Sequence, residues 1–436
     1  MSFFFARGGR GVSPDAAWPA PKPLRPPLRW ARVGSAILAL VLLPAAAGAQ
    51  APEPRLSLAE ALEQAWARQP EARALAARRD AAHAQRQAAD AFGPGAARLE
   101  LAQRLDARGP ERGLRELELG LALPLWRTGE QSAGRALADA RRQALESETT
   151  AARLALAGQL RARWWPLLLA ESDRELAEAQ HQLTLRLVED VDRRVRAGDL
   201  ARADAHQARI AEATARGALA RAEGAVRIAR QQLAALMGQP LGARPNQDAE
   251  PPPDEAALPA AAHLALQALQ DQLHAAERQL ALQAQQERAS PELRIGALQE
   301  RGRSGERSST ALQLGLSLPL GEGARQTARL AAARAEADAL RAQLALGQAR
   351  LAAEQAEAAA RVQALAEEQE AAARRARLAE ETAGFLRRAF ELGETDLPSR
   401  LRIEAEAATA RREAVRLRLE HAAALSGWRQ AIGLLP

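Results

Sequence analysis

One nine-residue pattern occurs twice, and it constrains the fold more than any other feature of the chain. Leu117, Leu119, Leu121, Leu123 and Leu125 alternate with Glu118, Gly120, Ala122 and Pro124. The pattern returns as Leu312, Leu314, Leu316, Leu318 and Leu320, alternating with Gln313, Gly315, Ser317 and Pro319. Seven of the nine residues match at an offset of 195. A period of two is that of an extended strand, and it gathers every leucine on one face. A transmembrane β-strand needs about 9–11 residues, so each run is long enough to cross a bilayer. Each strong strand has a weaker partner before it, Arg98–Leu105 and Glu292–Gln299. The loops Asp106–Gly113 and Arg301–Ser309 are polar and contain glycine, as turns should. Two hairpins are therefore expected, at 98–125 and 292–320. A soluble hairpin that packs its leucine face on helices would give the same pattern; export and the long helices below weigh against it.

The rest of the mature chain has helical periodicity. Leu219, Ala222, Val226, Ala229, Leu233 and Leu236 form a heptad seam, as do Leu330, Ala333, Ala337, Leu340, Leu344, Gly347 and Leu351. Alanine in a seam lets helices approach closely, and the Arg, Glu and Gln between seams suit a solvated face. Very long helices are expected at about 127–197, interrupted by Pro166, and 324–392. At about 1.5 Å per residue each would span roughly 100 Å. Arg193, Gly198 and Asp199 align with Arg388, Gly393 and Glu394 at the same offset of 195. The chain thus divides into a first repeat, 50–238, a Pro-rich linker, 239–262, and a second repeat, 263–436, each a helix, a hairpin, a long helix and a return helix.

Residues 1–49 have a different character. Arg29 and Arg32 precede the apolar run Val33–Leu43, followed by Ala47-Gly48-Ala49. This is the layout of a cleaved secretory signal, since the run falls well short of the roughly 20 residues of a membrane span. The segment also explains the charge. Six basic groups and one acid lie within it, so most of the net +6 leaves with the signal. A nucleic-acid-binding coiled coil, the partner that a basic chain suggests, would require these residues to be retained.

Composition removes most chemistry. There is no cysteine, and Lys22 is the only lysine, so thiolate sites, a P-loop lysine and a Schiff-base lysine are all absent from the mature chain. His83, His181, His206, His263, His274 and His421 include no pair at metal-ligand spacing, although His263 and His274 could share a helix face. No enzyme, no metal site and no cofactor is expected. Four strands cannot close a barrel, because single-chain barrels begin at about eight, and open edges are not tolerated in lipid. If the strands enter a membrane, several copies must pool them.

The mature chain resembles the outer membrane efflux protein family, the TolC-like channels. The resemblance rests on Leu56-Ser-Leu-Ala-Glu-Ala-Leu62, Gln69-Pro70-Glu71, the paired leucine strands, Arg196-Ala-Gly-Asp-Leu200 with Asp204 and Gln207-Ala-Arg209, and Leu392-Gly-Glu-Thr395. It extends to the heavy-metal (cobalt–zinc–cadmium) efflux branch. It implies a mainly α fold with a small β part, in which three copies share a twelve-stranded outer-membrane barrel above a periplasmic α-helical tunnel. It implies a passive channel that works with a periplasmic adaptor and an inner-membrane pump. Gly198, Asp199, Gly393 and Glu394 would then be adaptor-docking hairpin tips. Leu117, Leu119, Leu121, Leu123, Leu312, Leu314, Leu316 and Leu318 would face lipid. The family's acidic tunnel ring maps onto Ser399 and Arg402, which are not acids. Asp204 and Asp396 are the other entrance candidates, although an acid at a helix start also serves the helix dipole. The alternative is a periplasmic coiled-coil adaptor or scaffold without a barrel, which would leave the duplicated strands unexplained.

Overall fold

The computed structural model describes residues 55–105, 114–253, 263–286, 289–302, 305–320 and 324–436. The expected signal at 1–49, the loop Asp106–Gly113 and the end of the linker, 254–262, lie outside the described residues. In chain order the elements are β1 (Arg55–Leu56), α1 (Leu58–Trp66), α2 (Pro70–Asp90), β2 (Arg98–Leu105), β3 (Arg115–Pro124), α3 (Glu130–Ala197), α4 (Arg202–Met237), β4 (Arg244–Pro245), α5 (Leu264–Gln285), β5 (Glu292–Arg301), β6 (Ser309–Ser317), α6 (Ala324–Glu391) and α7 (Leu397–Ala431). The expected mainly helical architecture with four long strands is what the chain adopts, and both long helices have 68 residues.

Local chemistry sets the helix ends. Ser57 Oγ accepts the Glu60 N–H at 3.2 Å, while the Glu60 carboxylate accepts the Ser57 N–H at 2.9 Å, a reciprocal cap that starts α1. Pro70 opens α2 at a position where the missing N–H costs nothing. The Pro166 interruption does not end α3, which runs unbroken through it. Trp164, Trp165, Leu167 and Leu168 are buried on either side, so core packing outweighs the lost backbone bond. His263 caps α5 through Nδ1, which accepts the Ala265 N–H at 3.2 Å.

The main core lies around the middle of α3. Leu160, Trp164, Leu167 and Leu168 of α3 pack with Ala61 and Leu62 of α1, Leu233 and Met237 of α4, and Leu419 and Ala422 of α7. The stretch read as a linker is anchored to this core. β4 pairs in parallel with β1, and Trp164 Nε1 donates to the Asn246 carbonyl at 3.2 Å. Glu250 is nearly buried among Arg161 (2.6 Å), Arg429 (3.2 Å) and the Ser426 hydroxyl. Its burial raises the carboxyl pKa, but the Arg161 and Ser426 hydrogen bonds and both guanidinium charges outweigh that and hold it below the ordinary value.

The long strands form one antiparallel sheet in the order β2-β3-β5-β6. The second leucine run differs from the expected span. β6 covers Ser309–Ser317, so Leu318 lies past its end, not in the strand. Ser317 pairs with Glu292, the first residue of β5, so the ladder has run out of partner at Leu318, and Pro319 brings no N–H to extend it.

Candidate functional site: the sheet faces and the helix tips

Register decides which side chains share a face of the sheet. Leu99 is opposite Leu121, Leu101 opposite Leu119, Leu121 opposite Ile295, Leu123 opposite Leu293, Ile295 opposite Leu314 and Leu293 opposite Leu316. Directly paired residues lie on the same side, so Leu99, Leu101, Leu117, Leu119, Leu121, Leu123, Leu312, Leu314 and Leu316 form one continuous apolar face. The opposite face carries Arg98, Glu100, Arg104, Glu116, Glu118, Arg294, Glu300 and Gln313. Arg104 pairs there with Glu116 at 3.6 Å. The two glycines of the sheet's middle row, Gly120 and Gly296, pair across β3 and β5. A Cβ on Gly296 would meet the Leu119 carbonyl oxygen at 3.1 Å, so the close approach favours glycine there.

The apolar face is bare. Leu312 is 89% exposed, Leu314 78%, Leu99 73% and Leu119 49%. Leaving some ten large side chains in water in this way forfeits on the order of 10 kcal/mol of burial free energy. A patch of this kind marks an interaction with lipid or another surface.

At the other end of the long helices are two turns built alike. Gly198 ends α3 with φ 88°, and the Asp199 N–H donates to the Arg194 carbonyl at 2.9 Å. Gly393 follows α6 with φ 80°, and the Glu394 N–H donates to the Ala389 carbonyl at 2.8 Å. This left-handed termination is the reason for glycine at both positions. Nothing lies within 4 Å of where a Cβ would stand at either. Asp199 and Glu394 are exposed beside them.

The acids that start the return helices are engaged as caps. Asp204 accepts the Ala201 N–H at 3.0 Å, and Asp396 Oδ1 accepts the Ser399 N–H at 3.0 Å. The hydrogen bonds from Ser399 lower the Asp396 pKa. Ser399 thus belongs to the cap, while Arg402 is exposed and 3.9 Å from Glu406.

The residues that join the two tips were not legible as a motif. Phe390, 2% exposed, lies against Arg194 and Arg400, whose guanidinium carbons stand 5.1 and 4.9 Å from its ring centroid. Arg194 also donates to the Phe390 carbonyl at 3.3 Å. Arg400 binds Glu404 at 2.9 Å, and Arg387 approaches that carboxylate at 3.5 Å. Leu187, Val191, Ala205, Ala208 and Leu397 complete a small core drawn from α3, α4, α6 and α7. The one available signal was a phenylalanine, one of two in a helix built mostly of Ala, Arg, Glu and Leu.

No helix among the described residues is long and apolar enough to cross a membrane, which says nothing of a barrel. Comparison with known proteins places this geometry. Residues 61–239 match the model of the outer membrane efflux protein family. No curated protein matches the chain in sequence. Among solved structures, the outer membrane protein VceC from Vibrio cholerae matches with TM-score 0.67 and 20% identity, over 86% of this chain and 96% of that one. CusC, whose structures concern folding and transmembrane channel formation, matches with TM-score 0.66 and 18% identity, over 86% and 92%. The CmeC outer membrane channel of Campylobacter jejuni matches with TM-score 0.67 and 13% identity, over 86% and 85%. With the family model matched through the first repeat and the channel fold shared across both, residues 61–239 are similar to the outer membrane efflux protein family and the chain has the TolC-like fold.

Proposed function

We propose that the chain is the outer-membrane channel of a tripartite efflux system. Three copies pool their four-stranded sheets into one barrel, and the long helices form a tunnel that continues into the periplasm. The single observation that carries this reading is the two-faced sheet. One side is leucine from edge to edge and the other is charged, which suits lipid outside and water inside. The edge strands β2 and β6 each leave a row of backbone groups unpaired, and in lipid those groups need a neighbouring copy.

Conduction through such a pore is passive. The chain contributes a path, and an inner-membrane pump supplies energy and selects the cargo. A periplasmic adaptor docks at Gly198, Asp199, Gly393 and Glu394 and shifts the tips toward an open state by binding that state more tightly. The Phe390 cluster would hold the tips closed until then, in place of an acidic ring at Ser399 and Arg402. The periplasmic adaptor alternative leaves the bare leucine face without a partner.

The test is to purify the mature protein from membranes, image it, and measure conductance in planar bilayers. A three-fold cylinder with a membrane-embedded barrel and a stable conductance is expected. Recovery as a soluble periplasmic protein without conductance would overturn the reading.

A further inference from the structure

The apolar face ends in a feature that lipid tails do not explain. At the turn end of β3 and β5, Arg115 stands directly opposite Arg301. Alternation puts both on the leucine face, one row beyond Leu117 and Gln299. Like charges directly opposite each other destabilise a sheet unless something neutralises them. Among the described residues no acid does so. Glu116 and Glu300 lie on the other face by alternation, and Glu116 is paired with Arg104. The Glu306 carboxylate abuts Gly302 in the turn. Among the described residues Arg115 and Arg301 form no ion pair, and Arg301 Nε is shielded from solvent with no acceptor. Arg307 and Ser308 line the same groove, and so do Glu116, Glu300 and Glu306, none of them paired with Arg115 or Arg301.

Position along the strand identifies the environment. Arg115 is eight residues from Leu123, or about 27 Å along the strand. At a barrel tilt of about 40° that is roughly 20 Å of height, against an apolar band about 25 Å tall. The guanidinium groups therefore sit at the margin of the band, at headgroup level, on the side away from the long helices.

Building on the barrel reading above, we infer that Arg115 and Arg301 form a binding site for the phosphate of an anionic lipid headgroup in the outer leaflet. Two guanidinium forks side by side match a phosphate's oxygens, and burial at the band margin strengthens each charge-assisted bond. The lipid would both neutralise the pair and fix the height of the barrel in the membrane.

The test uses the full mature protein extracted in detergent, with bound lipid read by native mass spectrometry. Bisphosphorylated lipid A is titrated against its dephosphorylated form. Saturable binding of the phosphorylated lipid is expected, at least about tenfold tighter than that of the dephosphorylated form. R115Q/R301Q should lose about tenfold in affinity, and R115K/R301K, which keeps the charge, should retain most of it. Equal affinity for both lipids, or unchanged binding by R115Q/R301Q, would overturn the site. A heat-modifiable oligomer with normal conductance in the same preparation shows that the barrel reading stands by itself. Absence of that oligomer from wild type would refute the barrel and the site with it.

Discussion

The face assignment can be tested at two neighbouring residues with opposite expectations. Leu119 sits midway along β3, opposite Leu101 and Ala297, and is 49% exposed in the isolated chain. Glu118 precedes it and points to the charged face, opposite Ala102 and Leu298. If the leucine face meets lipid, Leu119→Arg places a guanidinium near the bilayer midplane at a cost of about 2–4 kcal/mol per copy. Three copies raise that to about 6–12 kcal/mol per assembled barrel if the terms add. Glu118→Arg changes a water-facing charge, and its cost should stay within about 0.5 kcal/mol per copy. Both proteins would be folded from urea into phospholipid vesicles, with heat-modifiable gel mobility reporting the barrel. The expected result is a barrel for Glu118→Arg at nearly the wild-type midpoint, and a large loss for Leu119→Arg. Equal effects, or a larger effect at Glu118, would refute the two-faced sheet.

Other residues carry separate expectations. Phe390→Ala should remove about 3–5 kcal/mol of packing from the tip core and expose the α6–α7 turn, seen as faster limited proteolysis there and a raised resting conductance. Glu250→Ala should destabilise the protein by about 3 kcal/mol, because it strands the buried Arg161, and thermal unfolding of the mature protein measures this. The pH dependence has a definite sign: a carboxyl held below its unfolded value of about 4.3 stabilises the fold above that pH, and the contribution is lost as acid titrates the folded form. Glu250→Gln should flatten that acid limb of the stability profile. Gly198→Val and Gly393→Val force a β-branched residue to positive φ, where no neighbour clashes, so barrel assembly should persist while export falls. Normal export by both variants would remove the tips from the docking role.

The strands and long helices were legible because their signals are periodic and duplicated. Leucine at every second position needs no tertiary knowledge to read as one face, and glycine at 198 and 393 is demanded by a local backbone conformation. The missed elements depend on distant partners. Glu250 lies in a proline-rich stretch that reads as a spacer, and only the fold brings Arg161 and Arg429 to it. Phe390 looks like an ordinary core residue until Arg194 and Arg400 are seen against its ring. The end of β6 was misplaced for a related reason. Leucine alternation continues to Leu320, but the strand stops where the first residue of β5 stops pairing. Asp204 and Asp396 show the converse: adjacency to a helix start was enough to foresee an interaction with the helix dipole, and each carboxylate accepts a backbone N–H there.

The two repeats have the same plan but bury it differently, and the difference bears on assembly. α3 and α6 are equally long, yet α3 has twenty-one buried residues and α6 only five, Ala337, Leu365, Ala372, Ala383 and Phe390. α3 packs on α1, α2, α4, α5 and α7, whereas α6 rests mainly on α5 and α7 and meets α3 through Phe390 at the tip. Its leftover face includes Leu346, Leu378 and Phe385, each more than half exposed. In a folded protein most helical stability comes from packing of one face, and α6 packs little of its own. The bare side of α6 and the unpaired edge of β6 belong to the same repeat. One neighbouring copy could cover both, so the barrel and the helical tunnel should assemble together: a substitution that strips oligomers of their barrel should also release α6, read as a rise in hydrogen exchange along 324–391.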